Sequence, residues 1–447
     1  MTSLEGVQYL KNVTSLTLTG MTSDDDPQPG LRNLEPLASL TQLEYLALNH
    51  NEIVTLDPLA GLTKLTFLDL NHNRVFDVRA VEGMTALADL ELAHNDVDDL
   101  TPLTELTALD TLFLRGNQVS DISALTDLTA MTFLDLADNQ ISDLTPLSGM
   151  TGLTNLAVGE NPISDIAVVA RFSQLDRLDL AAAPVTDLTP VAALTELTSL
   201  SAIGCQVADL RPVSGLARLD MLSLGSNQIS DLTPLAQLPK LTFLEVSDNQ
   251  ISDLAPLAGL TTLEDLYLDS NQITDISALA GLTRLQELSV GVNQITDISV
   301  LSQLRALANL NLKSNDITDL RPLSGLTDLE TLIARNNQIS DLTALSGLEN
   351  LTFLGLQENQ IADLRPVSKL KLESFYAADQ NLTAQARAQA TQALPKVTGA
   401  HSLTWRVIEG DARLSGAKVQ YGQAGQVLLG FEDGHGFSGI VDVTISA

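Results

Sequence analysis

The residues best suited to chemistry in this sequence are three histidines placed 22 residues apart, His50, His72 and His94. Their imidazoles could bind zinc with a carboxylate from Asp69 or Glu91 nearby, but a straight row of ligands fits tetrahedral zinc geometry poorly. The sequence therefore predicts no metal and no other cofactor. A pH-sensitive patch is the better interpretation, because stacked imidazolium groups would repel one another.

The other polar residues do not form a catalytic constellation. We find no nucleophile with a base and an orienting group, no phosphate-binding loop and no metalloprotease helix. Ser-Asp pairs are common, but they recur with the repeat described below, which indicates a structural cause. We expect no enzymatic activity and assign no catalytic residue.

Fourteen aspartates recur every 22 residues and form the most regular acidic feature of the chain. Most precede a short Leu-x-Pro-Leu or Leu-x-Ala-Leu step, where a carboxylate could act as the N-cap of a helical turn with an early proline. Calcium binding is the alternative, but the row lacks the close cluster of oxygens that calcium requires, so we favour capping. The row comprises Asp77, Asp99, Asp121, Asp143, Asp165, Asp187, Asp209, Asp231, Asp253, Asp275, Asp297, Asp319, Asp341 and Asp363.

These spacings reflect a repeat of 22 residues that organises most of the chain. Sixteen positions from Asn51 to Asn381 share one phase, and all are Asn except Ala183 and Cys205. We call these positions the ladder. Around each of them the pattern is Leu-x-x-Leu-x-Leu-x-x-Asn, as in Leu65–Asn73, which resembles the leucine-rich repeat.

The alternation of inward leucines with outward polar residues predicts one short strand per repeat. Stacked repeats bury a continuous leucine column, although a single repeat cannot close a core. We expect an α/β solenoid, a right-handed superhelix with a concave parallel β-sheet and short 3₁₀ turns on its convex side. Each ladder Asn should hydrogen-bond to buried backbone groups of the adjacent coil.

The sequence divides into a solenoid over residues 1–381, a junction over 382–398 and a small all-β domain over 399–447. The chain begins in mid-repeat, so we expect that an N-terminal cap is missing from this sequence. Ser23–Gly30 is expected to be an inserted surface loop. In the degenerate last repeat Tyr376 takes a leucine place, and the Ala- and Gln-rich junction should be a short helix or an extended linker.

From His401 onwards the hydrophobic period changes to two, with glycine-containing turns between the apolar segments. This pattern predicts a small all-β sandwich. We expect Trp405 to anchor its core rather than to bind a ligand.

Composition restricts the possible partners. The formal net charge of −32 argues against nucleic acid and anionic membranes. No segment approaches the roughly 18 apolar residues of a membrane span, so no membrane insertion is expected. The single cysteine, Cys205, excludes an intramolecular disulfide, and at a buried ladder position it should be unreactive. We expect a monomer.

A narrower resemblance, to the internalin family, rests on four features of the sequence. They are the opening Leu4–Val13, the recurring Asn-Gln-Ile-Ser-Asp-Leu-x-Pro-Leu unit, the Ala377–Gln380 junction and the closing Phe437–Val441. The resemblance implies a cap, repeats and an Ig-like domain in one rod on an exported bacterial protein. It also implies a concave face that binds a host receptor protein, whose identity varies between members.

We predict that a protein partner binds the outward strand residues of the N-terminal third, where aromatic anchors stand among charges. The predicted contact residues there are Tyr45, Phe67, Asp69, Asp89, Glu91, Phe113, Arg115, Phe133 and Asp135. A weaker candidate patch consists of Phe243, Glu245 and Tyr267. The repeats between these two regions present mostly Ala, Gly and Ser. Recent repeat duplication is the alternative explanation, since Thr-Phe-Leu recurs along the chain.

Three classes of function stay open at this point. The first, which we favour, is an exported bacterial recognition protein at the cell surface or secreted. The second is an intracellular leucine-rich scaffold or phosphatase regulator, which an upstream signal peptide would eliminate. The third is the binding module of a larger surface enzyme, which a downstream catalytic domain would reveal.

Overall fold

A computed structural model describes residues 4–20, 30–398, 403–434 and 437–446, and the backbone alone at 22–23 and 26–27. The chain divides into two compact units, Met1–Gln228 with Gln237–Lys240, and Ile229–Ala236 with Leu241–Ala447. Of the expected Ser23–Gly30 loop, residues 24, 25, 28 and 29 lie outside the described residues.

Each repeat contributes one strand to a parallel sheet, and the strands pair one repeat apart. Leu68, for example, pairs with Leu46 on one side and Leu90 on the other. In the first unit the parallel strands are Ser15–Thr17, Tyr45–Ala47, Phe67–Asp69, Asp89–Glu91, Thr111–Phe113, Phe133–Asp135, Asn155–Ala157, Arg177–Asp179, Ser199–Ser201 and Met221–Ser223. A separate antiparallel pair is formed by Thr22–Ser23 and Asp26–Pro27.

The second unit repeats the same arrangement. Its parallel repeat strands are Phe243–Glu245, Asp265–Tyr267, Glu287–Ser289, Asn309–Asn311, Thr331–Ile333, Phe353–Gly355 and Ser374–Arg387. In both units the central leucine of the strand points into the core, and Leu68 and Leu70 are fully buried. Burying one such side chain stabilises the fold by about 1.5–3 kcal/mol, and every coil repeats that contribution. The strands and burial confirm the leucine-rich-repeat solenoid.

The returning half of each repeat contains one 3₁₀ turn of three to five residues, as expected for a repeat this short, and the described residues contain no α-helix. The turns are Val7–Tyr9, Glu35–Leu37, Asp57–Leu59, Arg79–Val81, Thr101–Leu103, Ser123–Leu125, Thr145–Gly149, Ala167–Arg171, Thr189–Ala193, Arg211–Val213, Thr233–Gln237, Ala255–Leu257, Ser277–Gly281, Ser299–Gln303, Arg321–Gly325, Thr343–Leu345 and Arg365–Val367. Within the described ranges, no helix has the length and apolar character needed to cross a membrane.

The aspartate row caps these turns, but from one position earlier than the sequence predicted. Asp143 Oδ1 accepts the N–H of Thr145, the first residue of its turn, at 2.8 Å, whereas the N-cap position itself is Leu144. All fourteen aspartates make the equivalent bond, at 2.7 to 3.0 Å. The carboxylates therefore satisfy an otherwise unpaired turn N–H, which accounts for their recurrence without calcium.

The ladder asparagines join adjacent coils through their side-chain amides. Asn95 Nδ2 donates to the carbonyls of Leu70 and Leu92 at 2.9 and 3.0 Å, and its Oδ1 accepts the N–H of Val75 at 2.9 Å. These groups are buried in the turn that follows the strand. Because a buried unpaired amide or carbonyl costs about 1–3 kcal/mol, the ladder secures the chain where it leaves the sheet.

The two ladder exceptions are satisfied in different ways. Cys205 Sγ donates to the carbonyl of Leu180 at 3.0 Å, the bond that an Asn amide makes elsewhere. Burial raises the pKa of this thiol to about 11, so it is inert, as predicted. At Ala183 the backbone closes its own turn instead, through bonds from Ala183 N–H to Leu180 and from Val185 N–H to Ala183.

The phase predicted for the last repeat is wrong by one residue. Gln380, not Asn381, occupies the ladder position: its Nε2 donates to Leu356 O at 2.9 Å and its Oε1 accepts the N–H of Ile361 at 2.9 Å. The longer Gln side chain spans the gap left by a coil one residue shorter. As a consequence Phe375 takes the leucine place opposite Leu354, and Tyr376 points outward.

The expected helix or linker after the repeats is instead a continuation of the last strand. Ser374–Arg387 is a single strand of 14 residues, whose second half pairs in parallel with Phe437–Ser446. Residues 382–387 of the predicted junction therefore lie within a strand. Ala and Gln alternate there between half-buried and exposed positions, which suits a sheet edge more than a helix.

The C-terminal region is a small Ig-like β-sandwich of two sheets. One sheet contains Ser374–Arg387, Phe437–Ser446, Gly425–Glu432 and Thr404–Glu409, and the other contains Thr391–Ala393, Lys418–Tyr421 and Ala412–Ser415. Phe431 and Phe437 are buried in its core. Trp405 is only half-buried and packs on Phe431 with ring centroids 5.5 Å apart, so it covers the core rather than anchoring it.

Candidate functional site

The outward side chains of the strands form straight columns, because each strand pairs with the next in the same register. One column contains Tyr45, Phe67 and Asp89, and the next contains Asp69 and Glu91. The buried leucine between the two columns fixes the strand, so the outward residues are held on a common surface. We call this surface the strand face.

Two aromatic pairs lie on the strand face of the first unit. Tyr45 and Phe67 stack with ring centroids 4.3 Å apart and planes 6° from parallel. Phe113 and Phe133, from diagonal positions on adjacent strands, are 4.6 Å apart and tilted. Tyr45 is 38% exposed, and the other three rings are half-buried. A flat apolar surface is therefore available to a partner without any rearrangement of the strands.

A cluster of three carboxylates lies between the aromatic pairs. Burial raises the pKa of Asp69 and of Asp89, and burial with repulsion from both neighbours raises the pKa of Glu91 to about 6. Asn71 links two of them, because its N–H donates to Asp69 and its Nδ2 donates to Glu91. Asp89 Oδ1 is buried without a hydrogen bond in the described part of the chain. The cluster would be stabilised by a positive or hydrogen-bond-donating group from a partner.

Arg115 does not leave a free positive charge on the strand face. Its guanidinium lies 3.2 Å from Asp135, 3.6 Å from Glu160 and 3.8 Å from Asp179. Sequence reasoning missed Glu160 and Asp179, although both occupy outward columns within reach of a long side chain. Since Arg115 is compensated by three carboxylates, the surface formed by the nine predicted residues is acidic. We call those nine residues the N-terminal patch.

The three histidines stack at the edge of the N-terminal patch as their spacing predicted. Ring centroids are 4.4 Å apart for His50 and His72, and 4.5 Å apart for His72 and His94. Burial, followed by repulsion from the two flanking rings, lowers the pKa of His72. Among the residues described, no group of three or more His, Cys, Asp or Glu is arranged to hold a metal ion.

One feature of the histidine column gave no signal in the sequence. Each His has a positive φ, 56° at His50, 54° at His72 and 55° at His94, and the column continues with Asp138 and Glu160 at 55° and 56°. This left-handed turn directs the chain out of the strand just before the ladder residue. Because many residue types occupy the position, no glycine or asparagine pattern marks it.

The weaker patch lies in the second unit. Phe243 and Tyr267 are 5.5 Å apart and tilted by 45°, with Glu245 beside Tyr267 in the same strand register. Burial and a hydrogen bond to Glu287 raise the pKa of Tyr267. This patch has one aromatic pair where the N-terminal patch has two.

The strand face at the other end of the first unit has no aromatic side chain among its outward positions. Its outward positions include Ala157, Gly159, Ala181, Ser201, Ser223 and Gly225. The large apolar side chains that stand out there are Met221, 46% exposed, and Ile203, 39% exposed. These two side chains can serve as controls in experiments on the N-terminal patch, because they lie on the strand face but not beside an aromatic pair.

Comparison with known proteins places these observations in a family. The sequence pattern of leucine-rich repeats, in two copies, matches residues 41–82, 217–259, 261–303 and 305–347. The chain is 34% identical to an internalin (inlF) from Listeria monocytogenes of known structure, covering 83% of this chain and 93% of that one, with a TM-score of 0.51.

Two further solved structures share the fold. The functional domain of InlJ from Listeria monocytogenes is 23% identical over 87% of this chain and 92% of that one, with a TM-score of 0.73. The plant peptide hormone receptor RGFR1, solved in complex with RGF2, is 21% identical over 84% of this chain and 72% of that one, with a TM-score of 0.59. None of the curated proteins compared with the chain is similar enough to match.

Proposed function

Because this chain belongs to the internalin-like family of leucine-rich-repeat proteins, we propose that it is a recognition protein that binds a protein partner through the N-terminal patch. The observation that carries the proposal is the pair of aromatic contacts, Tyr45 with Phe67 and Phe113 with Phe133, on the strand face. The solenoid does not need these rings for its core, since buried leucines fill it. Aromatic anchors in such positions dominate the binding energy of protein interfaces.

The charge of the N-terminal patch indicates the chemistry of the partner. Burial raises the pKa of Asp69, Asp89 and Glu91, and repulsion from neighbouring carboxylates adds to the shift at Asp89 and Glu91. Arg115 is already paired. A partner that brings Lys or Arg side chains into this cluster would relieve the repulsion, whereas an acidic partner would add to it. We therefore propose a docking face on the partner that combines apolar side chains with basic ones.

We also propose how and where the protein acts. The protein acts without enzymatic chemistry, as is typical of leucine-rich-repeat proteins, which are binding modules. It functions outside the bacterial cell, at the surface or secreted, as internalin-like proteins would. It binds as a monomer.

The test compares two double variants on the same kind of surface. Phe67→Ala with Phe113→Ala removes one ring from each aromatic pair, and Ser201→Ala with Ser223→Ala changes the anchor-poor region. Truncating a central anchor costs about 2 kcal/mol or more, so the first pair should weaken partner binding by at least about 30-fold. The second pair should change affinity less than about twofold.

The measurement is the Kd of each variant for a partner isolated with the wild-type chain. Both variants must unfold at the wild-type temperature, so that lost affinity is not lost structure. Equal weakening by the two pairs would show that the partner binds elsewhere and would overturn the proposal.

A further inference from the structure

A groove on the strand face of the second unit lies outside the two patches described above. It encloses about 330 Å³, with Ile333, Phe353 and Tyr376 among its apolar walls and Gly355 between them. Sequence reasoning missed the groove because it assigned the last repeat one residue too late and so placed Tyr376 at an inward leucine position. The sequence did contain a signal. Phe375, Ala377 and Gln380 have the spacing of a leucine pair and its ladder residue, but they lie one residue before the expected phase.

The groove exists because Gly355 interrupts a column of side chains. Ile333, Gly355 and Tyr376 are neighbours in one column of the sheet. A Cβ at Gly355 would meet Gln357 Oε1 at 3.4 Å and the Phe353 ring at 3.6 Å, which are ordinary contacts. Space for a side chain is therefore present and unfilled in the column, and a partner can supply that side chain.

The walls of the groove suit an apolar or aromatic side chain. The rings of Phe353 and Tyr376 are 5.6 Å apart and tilted by 44°, so they offer a face and an edge to a third ring. Tyr376 is 48% exposed, although it stands on a surface with no need of an aromatic residue for folding. An inserted side chain would bury much of that exposed ring.

The charge beside the groove is positive, in contrast to the rest of the chain. Arg335 is exposed and forms no ion pair within the part of the chain that the structure describes. Lys313, on the adjacent coil, lies 3.7 Å from Asp269 and is partly compensated. The chain carries 24 basic and 56 acidic residues, so a basic side chain beside an apolar groove is opposite in sign to the prevailing charge.

The residues around Arg335 carry few carboxylates. In the three outward columns of the last four coils there is none, and Glu358 and Asp379 stand one column further out. The twelve positions are Asn309, Thr331, Phe353 and Ser374, then Asn311, Ile333, Gly355 and Tyr376, then Lys313, Arg335, Gln357 and Ala378.

A polar group inside the groove also lacks a partner. Gln357 Oε1 is buried and accepts no hydrogen bond among the described residues. An amide of this kind costs free energy until a donor reaches it. A backbone N–H from an extended peptide, brought in beside the inserted side chain, would supply that donor after a small rotation of the amide.

We propose that this groove binds an acidic peptide segment of a partner protein, with an aromatic or large aliphatic side chain above Gly355 and an adjacent carboxylate on Arg335. The apolar side chain fills the gap between Ile333 and Tyr376, and the carboxylate forms a bidentate pair with the guanidinium. This site is separate from the N-terminal patch and prefers ligands of the opposite charge.

The test uses short fluorescent peptides with the full-length chain and reads binding by anisotropy. One peptide carries a phenylalanine flanked by glutamates, the second replaces the glutamates with lysines, and the third replaces the phenylalanine with serine. We expect the first to bind at least about tenfold more tightly than either of the others, with affinity falling as salt is added. A first peptide that binds no better than the lysine peptide overturns the proposal.

Matched variants locate the binding. Arg335→Ala removes the cation and Gly355→Leu fills the gap, and each should weaken the first peptide by about tenfold or more. Arg305→Ala and Gly347→Leu make the same changes at an exposed turn arginine and at a glycine with open space around it, and they should have no effect. Tyr376→Ala serves as a second groove variant if Gly355→Leu fails to fold.

The result is independent of the proposed function. Phe67→Ala with Phe113→Ala should leave peptide binding unchanged, so loss of the partner and loss of the peptide are separate outcomes. Equal weakening by the groove variants and their controls would contradict the assignment. So would an oligonucleotide that binds through Arg335 when the peptides do not, since the groove would then recognise polyanions in general.

Discussion

The N-terminal patch and the Gly355 groove use the same backbone for opposite chemistry. In the N-terminal patch the aromatic rings surround carboxylates and the one arginine is paired. In the groove the rings of Phe353 and Tyr376 stand beside the unpaired Arg335. The parallel strands are alike in both places, and most coils share the buried leucine and the ladder Asn, although Phe375 and Gln380 replace them in the last coil of the groove. The chemistry of the two surfaces differs through their outward columns.

The comparison shows how a repeat protein can separate stability from specificity. Inward leucines and ladder amides recur in almost every coil and set the fold. Outward side chains are not part of the buried leucine column, and they are free to vary from coil to coil. Each contact surface can therefore be changed without rebuilding the scaffold beneath it.

The largest expected effect is a loss of stability when a ladder Asn is removed, and it shows whether the two surfaces rest on equivalent scaffolds. Asn95→Ala, beneath the N-terminal patch, and Asn337→Ala, beneath the groove, each remove an amide bonded to carbonyls of two coils. Both should lower the free energy of unfolding by about 1–3 kcal/mol, because buried backbone groups lose their partners. Thermal unfolding followed by circular dichroism measures the two costs.

The matched control is Gln272→Ala, which removes an exposed amide with no hydrogen bond of its own in the described structure. It should change the unfolding temperature very little. A large cost at Asn95 with none at Asn337 would mean that the two surfaces do not share one scaffold, and the comparison would fail.

A smaller effect is expected at the carboxylate cluster of the N-terminal patch, where stability should depend on pH. The pKa of Glu91 is raised from 4.5 to about 6, so the fold favours its protonated form. Its contribution to stability is therefore greatest below pH 4.5 and is lost as the pH rises through 6. Glu91→Gln should remove this loss and stabilise the protein at neutral pH by about 1–2 kcal/mol at most.

The measurement is the difference in unfolding temperature between wild type and Glu91→Gln across that pH range. Asp99→Asn is the control, since hydrogen bonds to Thr101 lower the pKa of Asp99 below its ordinary 3.8. Its difference from wild type should stay constant over the range. A constant difference for Glu91→Gln as well would show that the carboxylate cluster is not strained by burial.

Much of the fold could be predicted because it follows from periodicity. The ladder phase located Asn95 and its equivalents, the leucine pattern located the strands, and the short repeat required 3₁₀ turns. The error at the last repeat has a physical cause: Asn381 fell on the phase by chance, whereas Gln380 makes the ladder bonds. The last coil is one residue shorter than the others, and the longer side chain of Gln380 makes up the difference. Periodicity alone cannot detect such a deletion.

The candidate surfaces were only partly predictable. The aromatic rings of the N-terminal patch followed from their column positions, because outward strand residues cannot serve the core. The pairing of Arg115 with Glu160 and Asp179 could not be foreseen, since it depends on where a flexible side chain points across two further coils. The groove at Gly355 depends on an absent side chain and on the corrected position of Tyr376.

The most direct test of the account is hydroxyl-radical footprinting of the full chain with and without its protein partner. We expect the partner to protect Tyr45, Phe67 and Phe113 from oxidation, while Met221, 46% exposed on the same kind of surface, stays reactive. Tyr376 should stay reactive too, unless the partner also carries the acidic segment. Protection of Met221 with the three aromatic residues unprotected would contradict the central claim, because the partner would then bind the region without anchors.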